Sequence, residues 1–139
     1  MSDNFQYNRL DKNEAAVLLV DHQSGLTNLV QDFSPDDFKN NVLALADAAE
    51  YFKLPTILTT SFEDGPNGPL VPELKEQFPD APYIARPGQI NAWDNEDFVN
   101  AIKVRLSHFY AASAIRRVKA LTYFLTPGGM PGVDKLVSL

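Results

Sequence analysis

Three rhythms of apolar and polar positions run through the first hundred residues. Ala15 to Val20 (AAVLLV) is an unbroken apolar run bounded by Glu14 and Asp21, the pattern of a strand buried on both faces. Phe38, Val42, Leu45, Ala46, Ala49 and Phe52 then recur at helical spacing, which predicts a helix with one face on a sheet. Its start is written in Ser34-Pro35-Asp36-Asp37: a capping hydroxyl, a proline suited to the first turn, and acids that complement the positive helix end. Leu54-Pro55 ends it. Thr56 to Phe62 (TILTTSF) is rich in β-branched residues and predicts a second strand. Gly65, Pro66, Gly68, Pro69 and Pro72 make Glu63 to Pro72 a loop. A short helix is expected over Val71 to Phe78, and a third strand over Tyr83 to Arg86 (YIAR), closed by Pro87-Gly88. Asp94, with Asp97 three residues later, opens a further helix whose inner side carries Phe98, Ala101 and Ile102. This order predicts an α/β domain of the doubly wound class, with a parallel sheet and right-handed crossovers.

Composition narrows the function classes. With 139 residues the chain fits one small domain, and 45% apolar with 22% charged residues is ordinary for a globular protein, so disorder is not the default. A net charge of −6 argues against nucleic acid or an anionic membrane as partner, because both reward clustered Lys and Arg. No apolar run approaches the roughly 20 residues that span a bilayer. The polar opening MSDNFQYNRLDKNE lacks the layout of a secretory signal, and a cytoplasmic location is expected. The absence of cysteine excludes disulfides, thiolate metal sites and a thiol nucleophile from this chain. Charge is unevenly spread: residues 1–103 hold 17 acids and 7 bases, whereas residues 104–139 hold 1 acid and 5 bases, so the chain changes character near Lys103.

In open parallel sheets, ligands bind beyond the carboxyl ends of the strands. Asp21, Ser61 and Arg86 fall at or beside such ends and are expected to converge. An acid and a guanidinium facing one cleft can orient a substrate carbonyl or lower the pKa of a nucleophile. The competing readings are a cap or turn role for Asp21 and a surface ion pair for Arg86. His22 and His108, the two histidines, have no partner at metal-ligand spacing, and His22 is expected in a hydrogen-bond network beside Asp21. The prolines of GPNGP stand where a phosphate loop needs backbone donors, so neither metal nor cofactor is implied. An aspartate-nucleophile phosphohydrolase would want a second Asp where Gln23 stands.

The segments LDKNEAAVLLVDHQSGL (10–26) and NNVLALADAAEYFKLPTILTTSFEDGPNGPLVPELKEQFPDAPYIARPGQINAWDNEDFVNAIK (40–103) resemble the isochorismatase-like cysteine hydrolases, in particular the bacterial YcaC-type members of unknown substrate. The resemblance runs from about Asn8 to Lys103, roughly three quarters of the chain. It implies a three-layer αβα fold, hydrolysis of a small amide or ester, and assembly into higher homo-oligomers. It further implies that Asp21 is the acid that takes the thiol proton and that Arg86 stands at the family's usual Lys position. Asn91 and Trp93 (within NAW) match a stretch lining the pocket, and Gln23 lies in the family's D-x-Q pattern, with packing or assembly as its other reading. Trp93 can equally be an ordinary core or interface aromatic.

Residues 104–139 do not match the family. The resemblance implies that the fourth strand and the cysteine-bearing loop should follow Lys103; the chain instead reads VRLSHFYAASAIRRVKALTYFLTPGGMPGVDKLVSL. Neither Ser107 nor Ser113 matches the nucleophile, and a hydroxyl needs a stronger base than a lone carboxylate. The expectation is therefore a C-terminally truncated hydrolase domain over 1–103 with an unrelated tail over 104–139, inactive by itself or associating with full-length subunits. Lys103-Val104-Arg105 can be encoded by a read-through splice donor. An amphipathic helix is expected over Ser113 to Leu125, which would leave the first strand as an open, aggregation-prone edge.

Overall fold

The structure is a computed structural model that describes residues 12, 15–112, 119–123 and 137–138, and from residue 106 onward the backbone alone. Strand β1 (Ala15–Val20) leads through a single helical turn, α1 (Ser24–Thr27), to the long helix α2 (Pro35–Tyr51). Then come β2 (Thr56–Ser61), α3 (Pro72–Gln77), β3 (Tyr83–Arg86), a 3-10 turn at Ala92–Asp94, α4 (Glu96–Ala112), β4 (Lys119–Tyr123) and β5 (Val137–Ser138). The strands lie in the order β3-β2-β1-β4-β5, all parallel except β5 against β4.

Burial follows the apolar pattern. All six residues of β1 are buried, as a strand covered on both faces requires. Ala16, Leu18 and Val20 pack with Ile57, Phe98 and Ile102 on the α4 face; Val17 and Leu19 pack with Phe38, Val42, Ala46 and Leu74 on the face covered by α2 and α3. The result is the doubly wound, three-layer αβα fold. Ser34 caps α2 by accepting the Asp37 N–H at 3.1 Å, and Pro35 opens its first turn.

Three expectations are corrected. Phe52 does not join the inner face of α2; it follows the last helical residue, where the backbone turns to reach Pro55, and is 51% exposed. The cap of α4 is Asn95 rather than Asp94, its side-chain oxygen accepting the Phe98 N–H at 2.9 Å, while Asp94 belongs to the preceding 3-10 turn. The third concerns the tail. Lys119–Tyr123 is a strand, not helix, and it pairs with β1 from Ala15↔Lys119 to Leu19↔Tyr123. The edge of β1 is therefore occupied. The physical reason is that a buried strand has backbone donors and acceptors on two sides, and only another strand satisfies the second side. The remainder of the expected helix, 113–118 and 124–125, lies outside the described residues, as does the polar opening apart from Lys12. Helix α4 runs through residue 103 without a break.

Candidate active site

The sheet order reverses between β1 and β4, so the carboxyl end of β1 is a topological switch point, where open α/β sheets hold their ligands. Both β1 and β2 are followed at once by a left-handed residue, Asp21 at φ 59° and Phe62 at φ 52°. Asp tolerates that conformation and a bulky Phe does not, so the surroundings must hold it. The turn at Asp21 breaks the in-and-out alternation of β1 and brings its carboxylate to Arg86.

Arg86 ends β3 opposite Ser61 of β2. Its side chain is fully buried, and its guanidinium donates to three acceptors: Nε to Thr59 Oγ1 at 3.1 Å, Nη1 to the Gln89 carbonyl, and Nη2 to Asp21 Oδ1. Asp21 keeps 13% side-chain exposure, so the pair is reached from solvent through the carboxylate. Burial raises the Asp21 carboxyl above its ordinary value, and the hydrogen bond and charge of Arg86 oppose that shift without cancelling it. An acid so poised can take a proton from a nucleophile, while the fixed guanidinium keeps its charge in place. Ser61 completes the convergence at the strand ends, its hydroxyl donating to the same Gln89 carbonyl at 3.2 Å.

Gln23 is fully buried and its amide is spent on backbone. Oε1 accepts the Ser61 N–H at 2.8 Å, and Nε2 donates to the carbonyls of Ser61 and Gly68. The side chain thus joins the end of β2 to the Gly-Pro loop. That loop closes tightly over α1: a Cβ on Gly25 would lie 2.0 Å from the Pro66 carbonyl oxygen, so only glycine fits. A Cβ on Gly65 would likewise strike the Phe62 ring at 2.2 Å.

Asn91 and Trp93 stand apart from the pair, and no described hydrogen bond joins either to Asp21 or Arg86. Asn91 is exposed and caps the 3-10 turn, accepting the Trp93 N–H at 3.3 Å and donating to Asp94 at 3.0 Å. Trp93 is half-buried with its ring edge-on to Phe98, centroids 5.6 Å apart, against the α4-face core. Thr59 and the Gln89 carbonyl are the site groups that sequence reasoning missed. A signal for Thr59 existed: Ile57, Thr59 and Ser61 share one face of TILTTS, and a hydroxyl on a covered face needs a polar partner.

His22 turns the other way. It is fully buried and lines a pocket of about 210 Å³ on the α2 face, with Phe38, Val42, Val71 and the Lys39–Glu73 ion pair. Burial pushes its imidazole down to about 4, so the ring is neutral at pH 7. Neither Asp21 nor Arg86 lines that pocket. Among the described residues no group of three His, Cys, Asp or Glu side chains is arranged to hold a metal ion, and no helix is long and apolar enough to cross a membrane.

No protein-family model matches the chain. A curated relative, the probable hydrolase YcaC of Escherichia coli K12, is 80% identical over 97 residues, which are 70% of this chain and 47% of the relative. Two solved structures are similar at 79% identity. YcaC from Pseudomonas aeruginosa with hexane-2,5-diol and covalent acrylamide has a TM-score of 0.70 and covers 73% of this chain and 50% of its own. The YcaC gene product of E. coli, an octameric hydrolase of unknown specificity, has a TM-score of 0.69, with 71% and 48% covered. The chain thus spans about half the length of the relatives it matches. Over the matched stretch it carries a hydrolase scaffold, and that stretch belongs with the YcaC-type hydrolases.

Proposed function

We propose that this chain holds the acid and guanidinium of an isochorismatase-like cysteine hydrolase site and, by itself, does not hydrolyse. The observation that carries the reading is the buried Asp21–Arg86 pair at the strand ends of a chain with no cysteine. Asp21 is the base for a thiol that these 139 residues do not supply, and Arg86 holds that base in place. In a complete enzyme of this type the thiolate would attack a small amide or ester. Gln23 shapes the loop over the site, while Asn91 and Trp93 would serve a substrate only from the neighbouring 3-10 turn. We place the division of the chain at about residue 103, between the part that resembles the family and a tail that does not. We place the protein in the cytoplasm, in keeping with its acidic, cysteine-free composition.

Covalent acrylamide on the Pseudomonas relative supports the chemistry, because acrylamide bonds to nucleophiles and to thiolates above all. The test is parallel incubation of this chain and the full-length E. coli relative with acrylamide, followed by intact mass and a panel of small amides and esters. The expected result is an adduct on the relative and neither adduct nor turnover on this chain. Turnover by this chain that disappears in Asp21→Asn would overturn the reading.

A second function follows from the octameric state of the E. coli relative: association of this chain with full-length subunits. Exposed apolar side chains at Leu29, Phe33 and Ile90 give such a contact something to bury. Co-expression with the tagged full-length relative and native mass spectrometry should show mixed oligomers, and homogeneous octamers with free chain would exclude it.

A further inference from the structure

One residue of β2 touches both members of the pair. Thr59 is fully buried; its backbone carbonyl accepts the Asp21 N–H at 2.9 Å, and its side-chain oxygen accepts Arg86 Nε–H at 3.1 Å. The hydroxyl proton is already committed, donated to the Ile84 carbonyl at 2.8 Å. With the proton aimed at β3, a lone pair is left for Arg86, so the polarity of the contact is fixed. Three acceptors from three segments then hold three nitrogens of one planar group: Thr59 on β2, Gln89 in the turn after β3, and Asp21 after β1. The two terminal contacts alone would let the plane tilt about the line joining them. The Nε contact removes that freedom.

We propose that Thr59 is a positioning residue whose hydroxyl fixes the plane of the Arg86 guanidinium and so the edge it presents to Asp21. The proposal rests on reading Asp21 and Arg86 as a site. It distinguishes Thr59 from a merely well-packed strand residue: valine fills the same volume but offers Arg86 no acceptor, whereas serine keeps the acceptor and loses only a methyl group.

The experiment is NMR of the whole chain with labelled arginine, reading the rate at which the Arg86 Nε–H, the donor to Thr59, exchanges with solvent. Thr59→Val should speed this exchange about tenfold, the worth of one net hydrogen bond, and Thr59→Ser should restore the original rate. Equal rates in the original chain and Thr59→Val, or a Thr59→Ser variant as fast as Thr59→Val, would overturn the proposal. If Thr59→Val does not fold, a through-bond coupling between the Arg86 Nε–H and the Thr59 hydroxyl group in the unsubstituted chain decides: its detection supports the contact, and its absence with the Asp21 contact intact refutes it. Asp21→Asn separates the two levels. Rotation of the guanidinium about Cζ–Nε breaks the two terminal contacts and leaves Nε–H in place, so it reads the pair. Faster rotation in Asp21→Asn with unchanged Nε–H exchange in Thr59→Val sinks only Thr59's part, whereas unchanged rotation in Asp21→Asn sinks the pair on which the site reading stands.

Discussion

Asp21 and His22 are consecutive, both leave the end of β1, and they meet opposite environments. Asp21 lies among groups that converge: Arg86, Thr59, Ser61 and the Gln89 carbonyl, tied together by hydrogen bonds. His22 lines a pocket that it shares with Phe38, Val42 and Val71 and with the Lys39–Glu73 ion pair. Burial disfavours charge on both, raising the acid and lowering the base. What differs is the answer each side gives. On the α4 face a buried counter-charge with three acceptors holds a polar group in one orientation; on the α2 face the ring is simply neutral. The pocket beside His22 is therefore not the better site candidate, because converging charged groups, rather than volume, mark chemistry.

The sharpest way to break this contrast is to remove the counter-charge. Arg86→Met should destabilise the chain by about 3–5 kcal/mol at pH 7, since it leaves a largely buried carboxylate and the buried Thr59 hydroxyl oxygen without their guanidinium donor. The sign of its pH dependence follows. Without Arg86 the carboxyl of Asp21 rises further above its ordinary value, so lowering the pH protonates it and shrinks the penalty. Urea unfolding at pH 7 and pH 5 reads both quantities. A variant as stable as the original chain, or a penalty that grows on acidification, would mean the pair is not the buried unit described.

Much of this arrangement could be read from residue types. Continuous apolar residues marked β1, β-branched ones β2, and Ser34-Pro35 the start of α2, because each reflects local sterics or capping. Asp21 and Arg86 were legible by place alone: residues after parallel strands share one rim of the sheet. Their direct contact was not legible, since it depends on the left-handed backbone at Asp21, which the loop clasp between Gln23, Gly25 and the Pro66–Gly68 segment helps to impose. The tail shows the opposite failure. Ala114, Val118, Leu121 and Leu125 fit a helical period, yet 119–123 is a strand, because the unfilled side of β1 is a tertiary demand that a local pattern does not carry.

On the α2 side the expected effect is somewhat smaller and has the opposite pH sense. The His22 pKa falls from 6.5 to about 4 on folding, so the unfolded chain binds its proton first as the pH drops. Stability from this group is fully present above pH 6.5, is lost as the pH falls towards 4, and changes no further below that. The loss amounts to about 3 kcal/mol. Thermal or urea unfolding of the original chain and His22→Asn between pH 7.5 and 4.5 should show the slope in the first and a clear flattening in the second. Identical slopes would place the acid sensitivity elsewhere and remove half of the contrast.

The two long helices offer the finest comparison, because each begins with a side-chain cap in a different setting. Ser34 is exposed, and water can replace its hydroxyl at the Asp37 N–H. Asn95 is buried, and the Phe98 N–H it holds sits beside a fully buried ring where water is not at hand. Ser34→Ala should therefore cost about 0.5–1 kcal/mol and Asn95→Ala about 1–2 kcal/mol. The ordering matters more than the size. If the exposed cap proved the costlier of the two, burial would not be what sets the worth of a cap, and the Phe98 N–H would not be as shielded from water as its place beside the core implies.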